Sequence, residues 1–295
     1  MDPIINAMTA LRTDRLEGYL TSLSLEEQRV VLSAQVETRY ANWFSGVGMT
    51  LLQLTAFVQP QSAPALLARG AELDLYTACA LGDVAFIERC LSSTPGALND
   101  CIDAYYPLQF GLGQPDTLRH LLRSGDDRIE SAEVLLEHGA DLLAPSMPLG
   151  ETALHIAAIY DQTMTVQWLL AHGVSVDIGT RRPHAAVSTL FDQTPFAPFD
   201  APGKTALMLA LGEGHAGVVS ALLAAGADCD ARDDAGFTPL HYAAGSFWSE
   251  RVDLVDLLLA CGAYETNAQG DQGPLDVAAQ KGYQSVVDRL VSAGG

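Results

Sequence analysis

One unit of sequence recurs at a fixed spacing, and that recurrence constrains the fold more than any single residue does. Thr152, Thr205 and Thr238 sit at the head of ETALHIAA, KTALMLAL and FTPLHYAA, and each short Ala-rich segment is followed by a turn and a second segment with paired aliphatics. The pairs are Val218, Val219 with Leu222, Leu223, then Leu254, Val255 with Leu258, Leu259, then Val286, Val287 with Leu290, Val291. Offsets of one, four and five gather four side chains on one face of an α-helix, and such a face must be buried against a neighbour. One unit cannot bury its own face, so the units must stack into an array. Gly173, Gly226, Gly262 and Gly294 follow the second segments and read as helix stops, where a residue free to take positive φ is favoured.

The residues that recur resemble the ankyrin repeat pattern, about 33 residues long: T-P-L-H-x-A-A, a Gly-His turn, then V-V-x-x-L-L-x-x-G-A-D. Thr238, Pro239, Leu240 and His241 match its opening, and Thr152 to Gly173, Thr205 to Gly226 and Gly273 to Gly294 keep its spacing of 21. Two worn copies stand upstream, Gly48 to Asp74 and Leu75 to Leu91, the second with Gly82-Asp83 at its turn; Tyr106 to Asp141 reads as a lengthened copy of uncertain helix count. The resemblance implies an all-α fold, an ankyrin-repeat solenoid of about seven helical hairpins over residues 46–295. Residues 1–45 carry no repeat. They hold a capping box at Ser24 to Glu27, and Leu25, Val31, Leu32, Val36, Tyr40 and Trp43 recur at helical spacing, as Ile5, Met8, Leu11, Leu16 and Leu20 do before them. A stack needs end units with one wet face, and this segment is expected to be the N-terminal helical cap.

Three departures from the period carry information, because insertions into a stack alter its surface rather than its packing. Gly70 lies only three residues before Leu73, so the projecting hairpin between those two copies is missing. Gly173 and Thr205 are 32 apart, which leaves a long finger-loop insertion at 178–203 holding Arg181, Arg182, His184, Phe191, Phe196 and Phe199. It is either a flap folded back over neighbouring repeats or a binding loop. Thr238 and Gly262 are 24 apart rather than 21, and the extra residues fall in the turn Ser246, Phe247, Trp248, Ser249, Glu250. Large rigid aromatics in a turn suit a partner contact, because they can be desolvated at small entropy cost; covering the lengthened turn itself is the plainer role.

Charge and motifs then narrow the function. Sixteen basic against 36 acidic residues give a net charge of -20, which repels phosphate backbones and anionic lipid. Neither nucleic acid nor a membrane is an expected partner, and no apolar run is long enough to span a bilayer. Without a secretory start, the chain is expected in the cytoplasm, a monomer when free, with its five cysteines as small reduced core residues. His155 and His241 stand where the resemblance implies a hydrogen-bonding strut between repeats, and His215 is a turn residue. Asp228, Asp230, Asp233 and Asp234 read as turn formers rather than a cation site. No metal-ligand spacing, phosphate loop or nucleophile elbow is present, so no cofactor, metal or catalytic residue is expected.

What remains is a non-catalytic module that binds another protein, with inhibition or protection of that protein as the roles such binding would serve. The resemblance assigns the outward-facing contacts to Ile159, Tyr160, Lys204, Glu213, Asp234, Phe237, Ser246, Gln280 and Lys281, joined by Phe247 and Trp248. Arg181, Arg182, His184, Phe191 and Phe196 are possible loop contacts. The rival is an enzyme or small-anion-binding protein whose site is built from the 178–203 insertion.

Overall fold

A computed structural model describes residues 6–7, 10, 15–34, 50–58, 60–94, 98, 129–143, 151–181, 201–263 and 272–294. Among these the chain is helical, with no strand and a single isolated bridge pair, Gly179 with Thr205. It divides into two compact units, residues 1–147 and 148–295. No described helix is long and apolar enough to cross a membrane.

In the first unit, α1 (Leu16–Ser22) and α2 (Leu25–Ser33) precede a hairpin of α3 (Leu51–Val58) and α4 (Ala63–Leu67). Ser24 opens α2 with the expected capping box: its N–H donates to Glu27 Oε2 at 2.8 Å, and the Glu27 N–H returns to Ser24 Oγ. Leu16, Leu20, Val31 and Leu32 share one core with Leu51, Leu52, Leu54 and Leu66, so the N-terminal helices cover the first hairpin. Leu25 departs from its expected place on that face and is exposed, since as the first residue of α2 it lies beyond the turn that packs. Val36, Tyr40, Trp43, Ile5, Met8 and Leu11 lie outside the described residues.

The two worn copies are legible as structure. Thr50 precedes α3 as Thr152 precedes its own helix, and Gln53 occupies the place of the histidine: the Thr50 N–H donates to Gln53 Oε1 at 2.8 Å. Gln53 Nε2 then donates to Asp74 Oδ2 at 3.0 Å, while Asp74 caps α5 (Leu75–Leu81) through the Thr77 N–H. Only residues 71–74 join α4 to α5, apart from the turn that closes α4, which leaves no room for a projecting hairpin. The helix α6 (Val84–Ser93) follows the Gly82-Asp83 turn, and α7 (Ile129–Glu137) packs against it with Val134 and Leu135 buried. Residues 104–128 lie outside the described set.

Among the described residues the second unit has four helix pairs: α8 (Ala153–Ile159) with α9 (Thr163–Ala171), α10 (Ala206–Glu213) with α11 (Ala216–Ala224), α12 (Pro239–Ala244) with α13 (Val252–Ala260), and α14 (Pro274–Lys281) with α15 (Gln284–Gly294). First helices pack on first helices throughout, and among the second helices α9 packs on α11 and α13 on α15. Val218, Val219, Leu222, Leu254, Val255, Leu258, Val286 and Leu290 are buried. Val287, in the last helix, is only partly covered, and the offset-five side chains depart from the expected face: Leu223 and Leu259 are only partly covered and Val291 is 59% exposed. The reason is angular, for offsets zero, one and four span about 100° of helix surface, and offset five falls beyond that arc. Gly173, Gly226 and Gly262 take φ of 83°, 86° and 88°. Gly294 does not join them; it is the last helical residue of α15.

Candidate functional site

Each first helix of the second unit has two ends, and the expected contact residues divide between them. A helix of eight residues is about 12 Å long, so the two groups lie that far apart along α10.

At the N-terminal ends the histidines form a recurring brace. The Thr238 N–H donates to His241 Nδ1 at 3.0 Å, which makes that nitrogen the acceptor and leaves the proton on Nε2. Nε2 then donates to the Gln272 carbonyl at 3.1 Å, in the next repeat. His155 repeats the arrangement: Thr152 N–H to Nδ1 at 3.0 Å, and Nε2 to the Lys204 carbonyl at 3.0 Å. Burial pulls the His241 pKa down to about 4, only partly opposed by its bond to Gln272, so the ring is neutral near pH 7. Both histidines are struts between repeats, as the resemblance implies.

Asp233 organises the loop on the same side. Its Oδ1 accepts the N–H groups of Ala235 and Phe237 at 2.9 and 2.8 Å, and its Oδ2 accepts the Tyr242 hydroxyl at 2.7 Å. Burial raises its pKa against the lowering influence of these three donors. This turn swallows one expected contact residue: Phe237 is 4% exposed and stands edge-on to His241 at 5.1 Å, so it is core and does not face outward. Asp234 remains exposed, its N–H donating to the Pro202 carbonyl. Lys204 is partly exposed and its backbone carries the foot of the insertion, with Thr180 N–H donating to Lys204 O at 2.9 Å and Gly203 N–H to Thr180 O at 2.8 Å. The insertion therefore leaves and re-enters the fold at one point. Arg181 is exposed; Arg182, His184, Phe191 and Phe196 lie outside the described residues.

At the C-terminal ends the side chains differ from repeat to repeat. His215 Nε2 meets the Ile159 carbonyl at 2.9 Å, beside the exposed Tyr160 and Asp161. In the lengthened turn, Ser246 Oγ and the Phe247 N–H both donate to the Gly212 carbonyl, at 3.1 and 2.8 Å, and Arg251 donates to the Gly214 carbonyl. Ser246 is 1% exposed, so it is a tie to the preceding repeat and not an outward contact. The next repeat is tied as well: the Tyr283 hydroxyl donates to Ser246 O at 3.0 Å, and Glu250 accepts the Val286 N–H at 2.9 Å near the start of α15.

The two aromatics of this turn have different surroundings. Phe247 is 38% exposed and lies on Gly212, where a Cβ would come within 2.9 Å of its ring; Lys281 Nζ stands 5.9 Å from its centroid. Trp248 is 77% exposed, and its indole N–H donates to Glu213 Oε2 at 2.7 Å. The structure thus gathers Glu213, Phe247, Trp248 and Lys281, with Gln280 exposed close by in sequence, and separates them from Lys204 and Asp234 at the opposite helix end. The pattern alone overlooked Glu250, Arg251 and Tyr283, although the three added residues were the signal that this turn had something to reach.

The thiols are less uniform than expected. Cys79 is buried, Cys90 and Cys229 are partly covered, and Cys261 is exposed because it follows the last turn of α13; Cys101 lies outside the described residues. Burial, together with the neighbouring Cys261 thiol, pushes Cys229 up to about 12. Among the described residues no group of three His, Cys, Asp or Glu side chains could hold a metal ion.

Two family models match the chain, one described as ankyrin repeats (3 copies) over residues 184–270 and one as ankyrin repeat over residues 149–181. Among curated proteins, the E3 ubiquitin-protein ligase KEG of Arabidopsis thaliana is 29% identical over 181 residues, which is 61% of this chain and 10% of that protein. A transient receptor potential cation channel subfamily A member 1 homolog of Caenorhabditis elegans is 28% identical over 179 residues, 61% of this chain and 13% of the channel. The neurogenic locus notch homolog protein 1 of Danio rerio is 33% identical over 150 residues, 45% of this chain and 6% of that protein. The chain thus spans a small fraction of each.

Proposed function

We infer from the ankyrin repeats at residues 149–181 and 184–270, which make this chain an ankyrin-repeat protein, that it is a non-catalytic module binding another protein. Seven hairpins capped by residues 1–45 form the proposed scaffold. The binding surface is the first-helix face of the second unit, together with its turn edge, where Tyr160, Glu213, Phe247, Trp248, Gln280 and Lys281 present side chains to solvent. A ligase, a channel and a Notch protein carry similar segments under unlike names, which supports the repeat as a recognition element rather than the seat of one chemistry. The buried titratable groups of the second unit support the same reading, since His155, His241 and Asp233 are each engaged by backbone groups of their own or the next repeat. The bound protein is inhibited or protected by being covered, and the module acts in the cytoplasm as a monomer.

The observation that carries this reading is Trp248, held by one polar bond at its edge and otherwise open to water. A rigid indole that is 77% exposed is the kind of side chain that dominates binding energy at interfaces. The test begins with affinity capture on the intact chain and identification of what co-elutes. Titration calorimetry of that protein against wild type and Trp248→Ala should show a loss of about 2 kcal/mol, the hot-spot scale, at unchanged helical circular dichroism. Equal affinity for both forms would remove the turn edge from the binding surface.

A further inference from the structure

The same turn edge carries a charge pattern that specifies more than an apolar anchor. Glu213 is partly exposed, and the described residues offer its carboxylate one partner, the neutral indole N–H of Trp248. Asp161, one repeat earlier on the same edge, is exposed and 3.9 Å from His215 Nδ1. The cations of the edge are engaged elsewhere. Arg251 spends its guanidinium on both oxygens of Asp253, at 2.9 and 2.7 Å, and on the Gly214 carbonyl; Lys281 stands over Phe247. The edge is continuous, because His215 ties it to Ile159 and Tyr160 on one side while the lengthened turn ties it to Gly212, Glu213 and Gly214 on the other.

We propose that Trp248 and Glu213 form a seat for an arginine side chain borne by the partner protein, the guanidinium stacked on the open indole face and paired with the Glu213 carboxylate. The inference rests on the protein-binding reading above. Three observations converge on it. An aromatic face attracts a cation, and a planar guanidinium stacks on it better than a compact ammonium does. The 2.7 Å bond from the indole to Glu213 fixes ring and carboxylate side by side, so one guanidinium can meet both without reorganising either. The chain as a whole, at -20, attracts a basic segment from a distance. A polyanion is repelled, and an apolar segment without a cation leaves Glu213 uncompensated beneath it.

The test uses the full chain and defined probes: fluorescein-labelled peptides alternating Gly with Arg, Gly with Lys, and Gly with Glu, read by fluorescence anisotropy at physiological salt. Saturable binding of the Gly-Arg peptide is expected, with the Gly-Lys peptide weaker and the Gly-Glu peptide absent. Trp248→Ala and Glu213→Gln should each weaken the Gly-Arg peptide by roughly fivefold to tenfold, and Trp248→Phe by less. Glu88→Gln, which removes one negative charge from an exposed site in the first unit, should change nothing. If the Gly-Arg peptide fails to saturate the wild type, or binds Trp248→Ala and Glu213→Gln as tightly as wild type, the seat does not exist and only general attraction to an acidic surface remains. The two readings fail separately: a partner lost by Trp248→Ala while the Gly-Arg peptide is indifferent to it sinks the arginine seat and leaves the docking edge standing.

Discussion

The two ends of the first helices in the second unit are braced by opposite strategies. At the N-terminal ends of α8 and α12 one device recurs, with Thr152–His155 and Thr238–His241 agreeing within 0.1 Å in the bonds that matter. At the C-terminal ends the brace changes each time: His215 to Ile159, Ser246 and Arg251 to Gly212 and Gly214, Tyr283 to Ser246. The difference lies in what is being joined. At α8 and α12 an N–H at the helix start and a carbonyl of the next repeat are bridged by one group that accepts at one end and donates at the other, and a neutral imidazole spans that gap, whereas Met208 Sδ takes the Thr205 N–H and Asp276 the Gly273 N–H in the other two pairs. On the turn side only a carbonyl needs a donor, so many side chains suffice and the surface is free to specialise. Repetition marks the scaffold, and variation marks the place where a surface can acquire a partner.

The sharpest way to break this comparison is to remove the recurring brace. His241→Ala leaves the buried Thr238 N–H without its acceptor and takes the donor from the carbonyl of the exposed Gln272, at a cost of roughly 2 to 3 kcal/mol set by the one buried orphan, read as a lowered midpoint in urea unfolding. Arg251→Ala on the turn side should cost about 1 kcal/mol, since its carbonyl can turn to water. Equal losses would mean that the two ends are not held differently.

Acid separates the ends next. His241 has a folded pKa of about 4 against about 6.5 when unfolded, so the unfolded chain binds the proton more tightly between those values. The stability tied to its neutral form is complete above pH 6.5 and lost progressively as the pH falls toward 4. The first unit shows that an amide can take the histidine's place at the cap, because Gln53 accepts the Thr50 N–H with a side chain that does not itself titrate, while its second bond runs to the Asp74 carboxylate. His241→Gln should flatten the share of the stability loss that this histidine carries between pH 6.5 and 4 while retaining most of the stability at pH 7. A stability–pH curve that His241→Gln leaves unchanged would show the histidine not to be the titrating group.

On the turn side the two aromatics should part company. Phe247→Ala removes a half-covered ring from Gly212 and should cost about 1 to 2 kcal/mol of stability; Trp248→Ala, at an exposed site, should stay within about 0.5 kcal/mol. Thermal melts of the two single variants decide it. If Trp248 proves the costlier loss, its ring covers something and its claim as an anchor falls.

How much of this was legible follows the same division. The threonines ahead of the first helices and the buried stripe are local in sequence and repeat with the period, so counting residues found them, while the strut role of the histidines came from the resemblance. Gln53 could have been found the same way, since Thr50-Leu51-Leu52-Gln53 keeps the spacing with a side chain that also accepts and donates. Phe237 and Ser246 were misplaced because an outward position in an average repeat says nothing of a particular aspartate, Asp233, curling the loop inward, or of a carbonyl at Gly212 waiting for a hydroxyl. The seat of Phe247 depends on a missing Cβ 35 positions earlier in the chain. A periodic pattern records neighbours within a unit, whereas the turn edge is assembled from three.

The smallest effect for the number of residues removed is expected where the insertion is largest. The Gly203 N–H donates to Thr180 O and the Thr180 N–H donates to Lys204 O, so the segment between them begins and ends at one closed gate. Replacing residues 182–200 by a short Gly-Ser link keeps that gate, keeps Thr180, which is buried, and touches none of the described helical faces. Loop closure alone changes by about 0.6 kcal/mol for each doubling of length, so the shortened chain should unfold within roughly 1 kcal/mol of the parent, on the stable side. The deletion also removes Arg182, His184, Phe191 and Phe196 together, which makes it a direct measure of what those residues contribute. A shift confined to closure entropy, with partner affinity intact, leaves recognition to the turn edge alone. Retained stability with lost affinity moves part of the binding surface to the loop side and overturns the assignment of variation to the turns; a collapse of the cooperative transition shows the phenylalanines to be packed against the repeats as a flap.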